Sequence, residues 1–96
     1  ALAGDDWPEE LHEVVYVDHY GNAMTGVRTA GVPRDAVVEL AGRELAYART
    51  FSDVPVGTPF WYDNANGLLE ISVNQDRADT LLGAIAGTPI RIRAGD

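Results

Sequence analysis

The sequence has no cysteine, no lysine, no long apolar run and little positive charge. Without cysteine there is no disulfide, thiolate zinc site, iron–sulfur cluster or cysteine nucleophile, and the composition suits a reducing, cytoplasmic compartment. All seven basic residues are arginine, set against fifteen acidic ones for a formal charge of −8. Such a surface repels phosphate backbones and anionic lipid headgroups, so neither nucleic acid nor a membrane is the expected partner. No apolar stretch approaches the roughly 18 residues of a membrane span, and no basic-then-apolar start suggests a signal peptide. An initiator methionine is missing too: residue 1 is alanine, and the chain is expected to be a piece of a longer protein.

Ninety-six residues, 46% of them hydrophobic, describe one domain over 1–96 with enough apolar surface to fold without covalent staples. Apolar residues come in short runs rich in Val, Ile, Tyr and Leu, with glycine punctuating them about every ten residues. That spacing predicts a mostly all-β fold, a small antiparallel β-barrel of about seven strands. The strands fall at 13–18, 23–29, 36–40, 43–50, 59–63, 68–74 and 89–94. One short helix is expected near the C-terminus at 76–85, capped by Asn74, and a helical turn at 5–11 with Asp6 as cap. Tyr20-Gly21-Asn22, Ala41-Gly42-Arg43 and Asn64-Ala65-Asn66-Gly67 supply residues that tolerate positive φ and read as hairpin turns. The interrupted stretch 51–58 reads as a loop able to meet a ligand. Strand alternation puts Val14 and Tyr16 in the core and separates Trp61 and Tyr62 into one core and one surface residue. Glu70 takes a solvated or hydrogen-bonded place beside the inward Leu69, Ile71 and Val73.

Self-contained catalytic patterns are absent. His12 and His19 do not stand at a zinc spacing. Asp63-Asn64-Ala65-Asn66-Gly67 fails as a calcium loop, because Ala65 occupies a position that must supply oxygen. There is no phosphate-binding glycine loop and no nucleophile elbow. Two strings stand out instead. Tyr16-Val17-Asp18-His19-Tyr20-Gly21-Asn22-Ala23-Met24-Thr25 brings Asp18 and Asn22 to one end of a hairpin, as a capped turn or as a ligand-facing pair. Asn64-Ala65-Asn66-Gly67-Leu68-Leu69-Glu70-Ile71-Ser72-Val73-Asn74-Gln75 is a second hairpin running toward the helix.

Together, and with Tyr47–Val54 between them, these strings resemble the C-terminal domain of the S-adenosyl-L-methionine (SAM) hydroxide adenosyltransferases. These are SAM hydrolases related to the adenosyl-chloride and adenosyl-fluoride synthases. The resemblance spans residues 13–94. It implies a β-barrel domain that follows an N-terminal α/β catalytic domain absent from this chain, in a homotrimer where SAM lies between the N-terminal domain of one subunit and the C-terminal domain of its neighbour. It further implies attack at the ribose C5′ carbon by a water-derived hydroxide or a halide, with methionine leaving. Carried over by position, Asp18 stands near the methionine amino group, Asn22 at the adenine edge and Phe51 against the adenine face. Val73 to Gln75 lie where backbone groups read the ring, Ala65 lies at the amino-acid end, and Asn66 beside it is a further substrate-binding position. Met24 stands where the synthases place tryptophan.

Three departures qualify the match. Ala65 replaces a serine whose hydroxyl meets the amino-acid end, Gly26 replaces a common asparagine, and Met24 favours a hydrolase over a halogenase. The expected ligand is SAM, as substrate and not cofactor, or adenosine. No residue of this chain is expected to be catalytic or to bind metal, and the chain alone is expected to be inactive. A stand-alone binding or oligomerisation module is the alternative, and an oligonucleotide-binding barrel is opposed by the charge.

Overall fold

Alternating apolar residues give seven strands in a computed structural model, which describes residues 10–95: β1 Leu11–Val17, β2 Ala23–Arg28, β3 Val37–Leu40, β4 Arg43–Leu45, β5 Pro59–Asp63, β6 Leu68–Val73 and β7 Arg91–Arg93. Short 3₁₀ turns at Thr29–Gly31 and Phe51–Asp53 and one helix, α1 at Ala78–Leu82, complete the regular structure of the described residues. Trp7 and the expected helical turn at 5–11 lie outside the described residues, apart from Glu10, which is in no regular element, and Leu11, which opens β1. All strand pairs are antiparallel, as the three glycine turns imply. At the β3–β4 turn both Ala41 and Gly42 have positive φ, at 53° and 80°, the geometry that matches strand twist in a tight hairpin.

The single closed barrel expected from the sequence is not formed. Strands order as β1-β2-β6-β5 in one sheet and β4-β3-β7 in a second. The cause lies in two short strands. β4 stops at Leu45 instead of running to residue 50, and β7 spans only Arg91–Arg93. Beyond Leu45 the chain leaves β3 and meets β5 in one parallel bridge, Tyr47 with Trp61. There the Ala48 and Trp61 amides donate to the Trp61 and Ala46 carbonyls, each at 3.1 Å. On the opposite side Glu13 of β1 bridges Pro89 just before β7. Each seam between the sheets is therefore stitched at a single bridge.

Trp61, fully buried, fills the space between the sheets with Val14, Val38, Leu40, Leu45, Leu69 and Ile71. Its indole N–H donates to the Ala36 carbonyl at 3.0 Å, tying β5 to the segment that enters β3. Tyr62 takes the opposite face, as alternation requires. Tyr16 does not follow Val14 inward. Register shifts in β1 on either side of Val14 break the two-residue repeat, so Val14 is buried while Tyr16 is 56% exposed. Asn74 does not cap α1 either: Arg77 is the N-cap residue and makes no side-chain cap bond. The Asn74 amide instead donates to the Val54 carbonyl at 2.8 Å and anchors the 51–58 loop.

Because Trp61 belongs to the core of both sheets, Trp61→Ala is expected to destabilise the domain by about 3–5 kcal/mol, a large fraction of the stability of a domain this size. Urea unfolding measures it. A loss below about 1 kcal/mol would show that the sheets do not depend on this side chain.

Candidate functional site

The four-stranded sheet has one face in the core and one turned outward, and the outward face carries chemistry. Register sets out its rows. Tyr16 of β1 pairs with Met24 of β2, Met24 with Glu70 of β6, and Glu70 with Tyr62 of β5. Ala23 pairs with Ile71 and Ser72 with Phe60, so the next row runs Asn22, Ser72, Phe60. A groove of about 210 Å³ opens over this second row, lined by Asn22, Ser72, Phe60 and Tyr62, with Arg49, Thr50 and Phe51 at its side. Aromatic rings with a few fixed polar groups are what a flat, neutral heterocycle requires.

Asn22 is held on two sides. Ser72 Oγ donates to Asn22 Oδ1 at 2.8 Å, and Asn22 Nδ2 faces Asp18 Oδ2 at 3.5 Å. Asp18 Oδ1 accepts the backbone N–H groups of Tyr20 and Asn22, each at 2.9 Å, so the carboxylate closes the turn that presents Asn22. Helix α1 fastens that turn. Asp79 N–H donates to the Gly21 carbonyl at 3.0 Å, and Arg77 Nη1 donates to the His19 carbonyl at 3.1 Å. Gly21 has φ 84°, and a Cβ there would stand 2.8 Å from both Arg77 Cβ and Asp79 Oδ1, so only glycine fits. Hydrogen bonding from Arg77 holds the Asp79 carboxyl below the usual carboxylate range.

Beside the groove, in the adjoining row of the same face, lies a buried carboxylate. Glu70, 7% exposed, accepts from the Tyr62 hydroxyl at 2.6 Å and from Asn64 Nδ2 at 2.9 Å. Asn64 Oδ1 in turn accepts the N–H groups of Asn66 and Leu68 at 2.8 and 3.0 Å. A continuous hydrogen-bonded chain thus runs from the groove wall to the turn at 64–67.

The structure gathers Asn22 and Phe51 at the groove with Asp18 directly behind, and sets Met24, half-buried, in the adjoining row. Ala65 and Asn66 are exposed in the turn at the far end of the β5–β6 hairpin and do not line the groove. Val73 is a core residue whose carbonyl accepts from Asp76 N–H at 3.3 Å. Gln75 is exposed, with φ 59°. Ser72, Phe60, Tyr62, Arg49 and Thr50 join the lining without having been singled out as ligand-facing. The signal for Ser72 and Phe60 was the β5–β6 register, which places them opposite one another. Gly26 has a structural reason, since a Cβ there would lie 2.9 Å from Leu11 Cβ and 3.0 Å from its carbonyl. An asparagine would not fit against β1.

The chain is a two-sheet β domain whose outer face carries an aromatic-walled groove edged by an oriented amide. Residues 12–91 match the SAM hydroxide adenosyltransferase C-terminal domain, and the chain belongs to that family. It is 41% identical over 91 residues to an (R)-S-adenosyl-L-methionine hydrolase of Thermus thermophilus, covering 95% of this chain and 34% of that protein. The corresponding hydrolase of Salinispora arenicola is 38% identical over 86 residues, covering 86% of this chain and 32% of the relative. Among solved structures, a conserved hypothetical protein from Thermus thermophilus superposes with a TM-score of 0.77 at 40% identity, covering 84% of this chain and 34% of that one. The chain spans about a third of the length of these relatives.

Burial first, and then its bond to Glu70, raise the Tyr62 hydroxyl well above the ordinary tyrosine value of 10.0. The fold favours the neutral phenol, so its contribution is intact below pH 10 and is lost as pH rises beyond it. Tyr62→Phe is expected to cost about 1–3 kcal/mol at neutral pH by leaving Glu70 short of a donor. Thermal melts from neutral to strongly alkaline pH should show the two proteins converging above pH 10. A constant gap would contradict the assigned bond.

Proposed function

We propose that this domain is the adenosine-reading part of an enzyme that hydrolyses S-adenosyl-L-methionine to adenosine and L-methionine. The observation that carries this reading is the groove itself, where Asn22 and Phe51 meet on the outer face of the sheet. The purine lies against Phe51 and the rings beyond it, and the Asn22 amide pairs with its polar edge. The Asp18 carboxylate favours the ammonium group, and the turn carrying Ala65 and Asn66, at the other end of the sheet, does not line this groove.

In the reaction, the oxygen of a water-derived hydroxide bonds to the ribose C5′ carbon as the C5′–S bond breaks. The bonding pair passes to sulfur, which becomes the neutral thioether of methionine, and the proton of the water is lost to solvent or a base. The groups that hold the nucleophile belong to an N-terminal α/β domain, and the closed site forms with a neighbouring subunit of a homotrimer in the cytoplasm. This chain contributes binding and orientation. Met24 in the row beside the groove supports water over a halide as nucleophile. The alternative of a module that lost its chemistry draws on Ala65 alone, because Gly26 is required by the approach of β1.

The 96-residue chain by itself is expected to release no adenosine from SAM, whereas the full-length protein should release adenosine and methionine in equal amounts. In the full-length protein, Asn22→Ala should weaken adenosine and SAM alike by about 1–3 kcal/mol, because a buried partner loses its pairing. Chromatographic product analysis and calorimetry check both. Turnover by the rigorously purified chain alone, or unchanged binding in Asn22→Ala, would defeat the reading.

A further inference from the structure

Asn22 brings the one amide side chain to the groove lining among the described residues. A primary amide is nearly symmetric in shape but not in chemistry, since one end accepts hydrogen bonds and the other donates them. Which end lies where decides the polar edge it can pair with. Two neighbours settle this here: Ser72 Oγ donates to Oδ1 at 2.8 Å, and Asp18 Oδ2 faces Nδ2 at 3.5 Å. Their influence is unequal. A hydroxyl donates or accepts, so Ser72 tolerates either end of the amide, whereas a carboxylate only accepts. Turning the amide over would set Oδ1 against a negatively charged oxygen. Asp18 is not free to swing aside, because its other oxygen holds the N–H groups of Tyr20 and Asn22, each at 2.9 Å. Each end of the amide keeps one unused capacity, a second lone pair on Oδ1 and a second N–H on Nδ2.

We infer that Asp18 fixes the Asn22 amide in one orientation and thereby makes the groove selective for 6-aminopurines over 6-oxopurines. A 6-aminopurine carries an amino donor beside a ring-nitrogen acceptor on both of its edges, which complements an acceptor beside a donor. A 6-oxopurine puts a carbonyl where the amino group stood, directly opposite Oδ1. Pairing that carbonyl with Nδ2 requires the inverted amide, which Asp18 opposes. The inference rests on the reading of the groove as an adenosine site and adds what sets the identity of the base. It gives Asp18 a positioning role that is independent of any ammonium group on the ligand.

The test is calorimetric titration of the full-length protein with adenosine and with inosine, neither of which carries an ammonium. Wild type, Asp18→Asn and Ser72→Val are compared, with melting temperatures for each. Asparagine at position 18 keeps an oxygen for the two turn N–H groups and turns a donor toward Asn22, which inverts the preferred amide orientation. Wild type should favour adenosine by at least about tenfold, and Asp18→Asn should narrow that ratio by about tenfold, in part through tighter inosine binding. Ser72→Val, which preserves strand propensity and removes a partner that serves either end of the amide, should weaken both nucleosides and leave the ratio within about threefold of wild type. An unchanged ratio in a folded Asp18→Asn protein overturns the inference, and if that variant fails to fold, loss of the adenosine preference in Ser72→Val, where Asp18 is intact, does so. Adenosine bound by wild type without preference over inosine overturns this inference alone. Failure of wild type to bind either nucleoside overturns the adenosine reading and this inference with it.

Discussion

The groove on the outer sheet face is organised around the Asp18 carboxylate. One of its oxygens closes the β1–β2 turn by accepting two backbone N–H groups, and the other faces the amide that the turn presents. A turn of this kind is a local structure that costs little to deform on its own. Here it is not alone, because α1 grips it through Arg77 and Asp79 and leaves room only for glycine at position 21. Asn22 is thus held from the turn, from the helix behind it, and from Ser72 on the neighbouring strand.

The rest of the outer face follows from pairing β2 with β6 and β6 with β5. Strand register places Ser72 beside Phe60 and Glu70 beside Tyr62, so the wall of the groove and the buried carboxylate next to it are fixed by the same ladder. A carboxylate as enclosed as Glu70 is costly unless it is hydrogen-bonded, and both of its oxygens are engaged. The consequence is a stiff platform. Its inner face is the core around Trp61, and on its outer face the Tyr62–Glu70 bond adds to the stability of the same sheet.

Seven strands, three hairpins and the Asp18–Asn22 pair could be read from the amino-acid sequence because glycine-marked turns and alternating apolar residues are local signals. The partition into two sheets could not, since it turns on where β4 leaves β3 to bridge β5, a contact set by tertiary packing. Tyr16 was misplaced in the core because a bulge has no signature in alternation. Asn74 stands where a helix cap would, yet the 51–58 loop engages its side chain. Ser72 is an ordinary strand serine until register sets it beside Asn22. Gly26, which reads as a departure from the family pattern, is explained only by the approach of Leu11.

The most direct test of the groove as the purine site is a backbone and side-chain amide NMR titration of the isotopically labelled 96-residue chain with adenosine at millimolar concentration. The account predicts that the largest shifts fall on the Asn22 side-chain amide and on the backbone amides of Phe51, Tyr62 and Ser72, with the β4-β3-β7 sheet unmoved. Shifts confined to that second sheet, or to the turn at 64–67, would place the nucleoside elsewhere and contradict it.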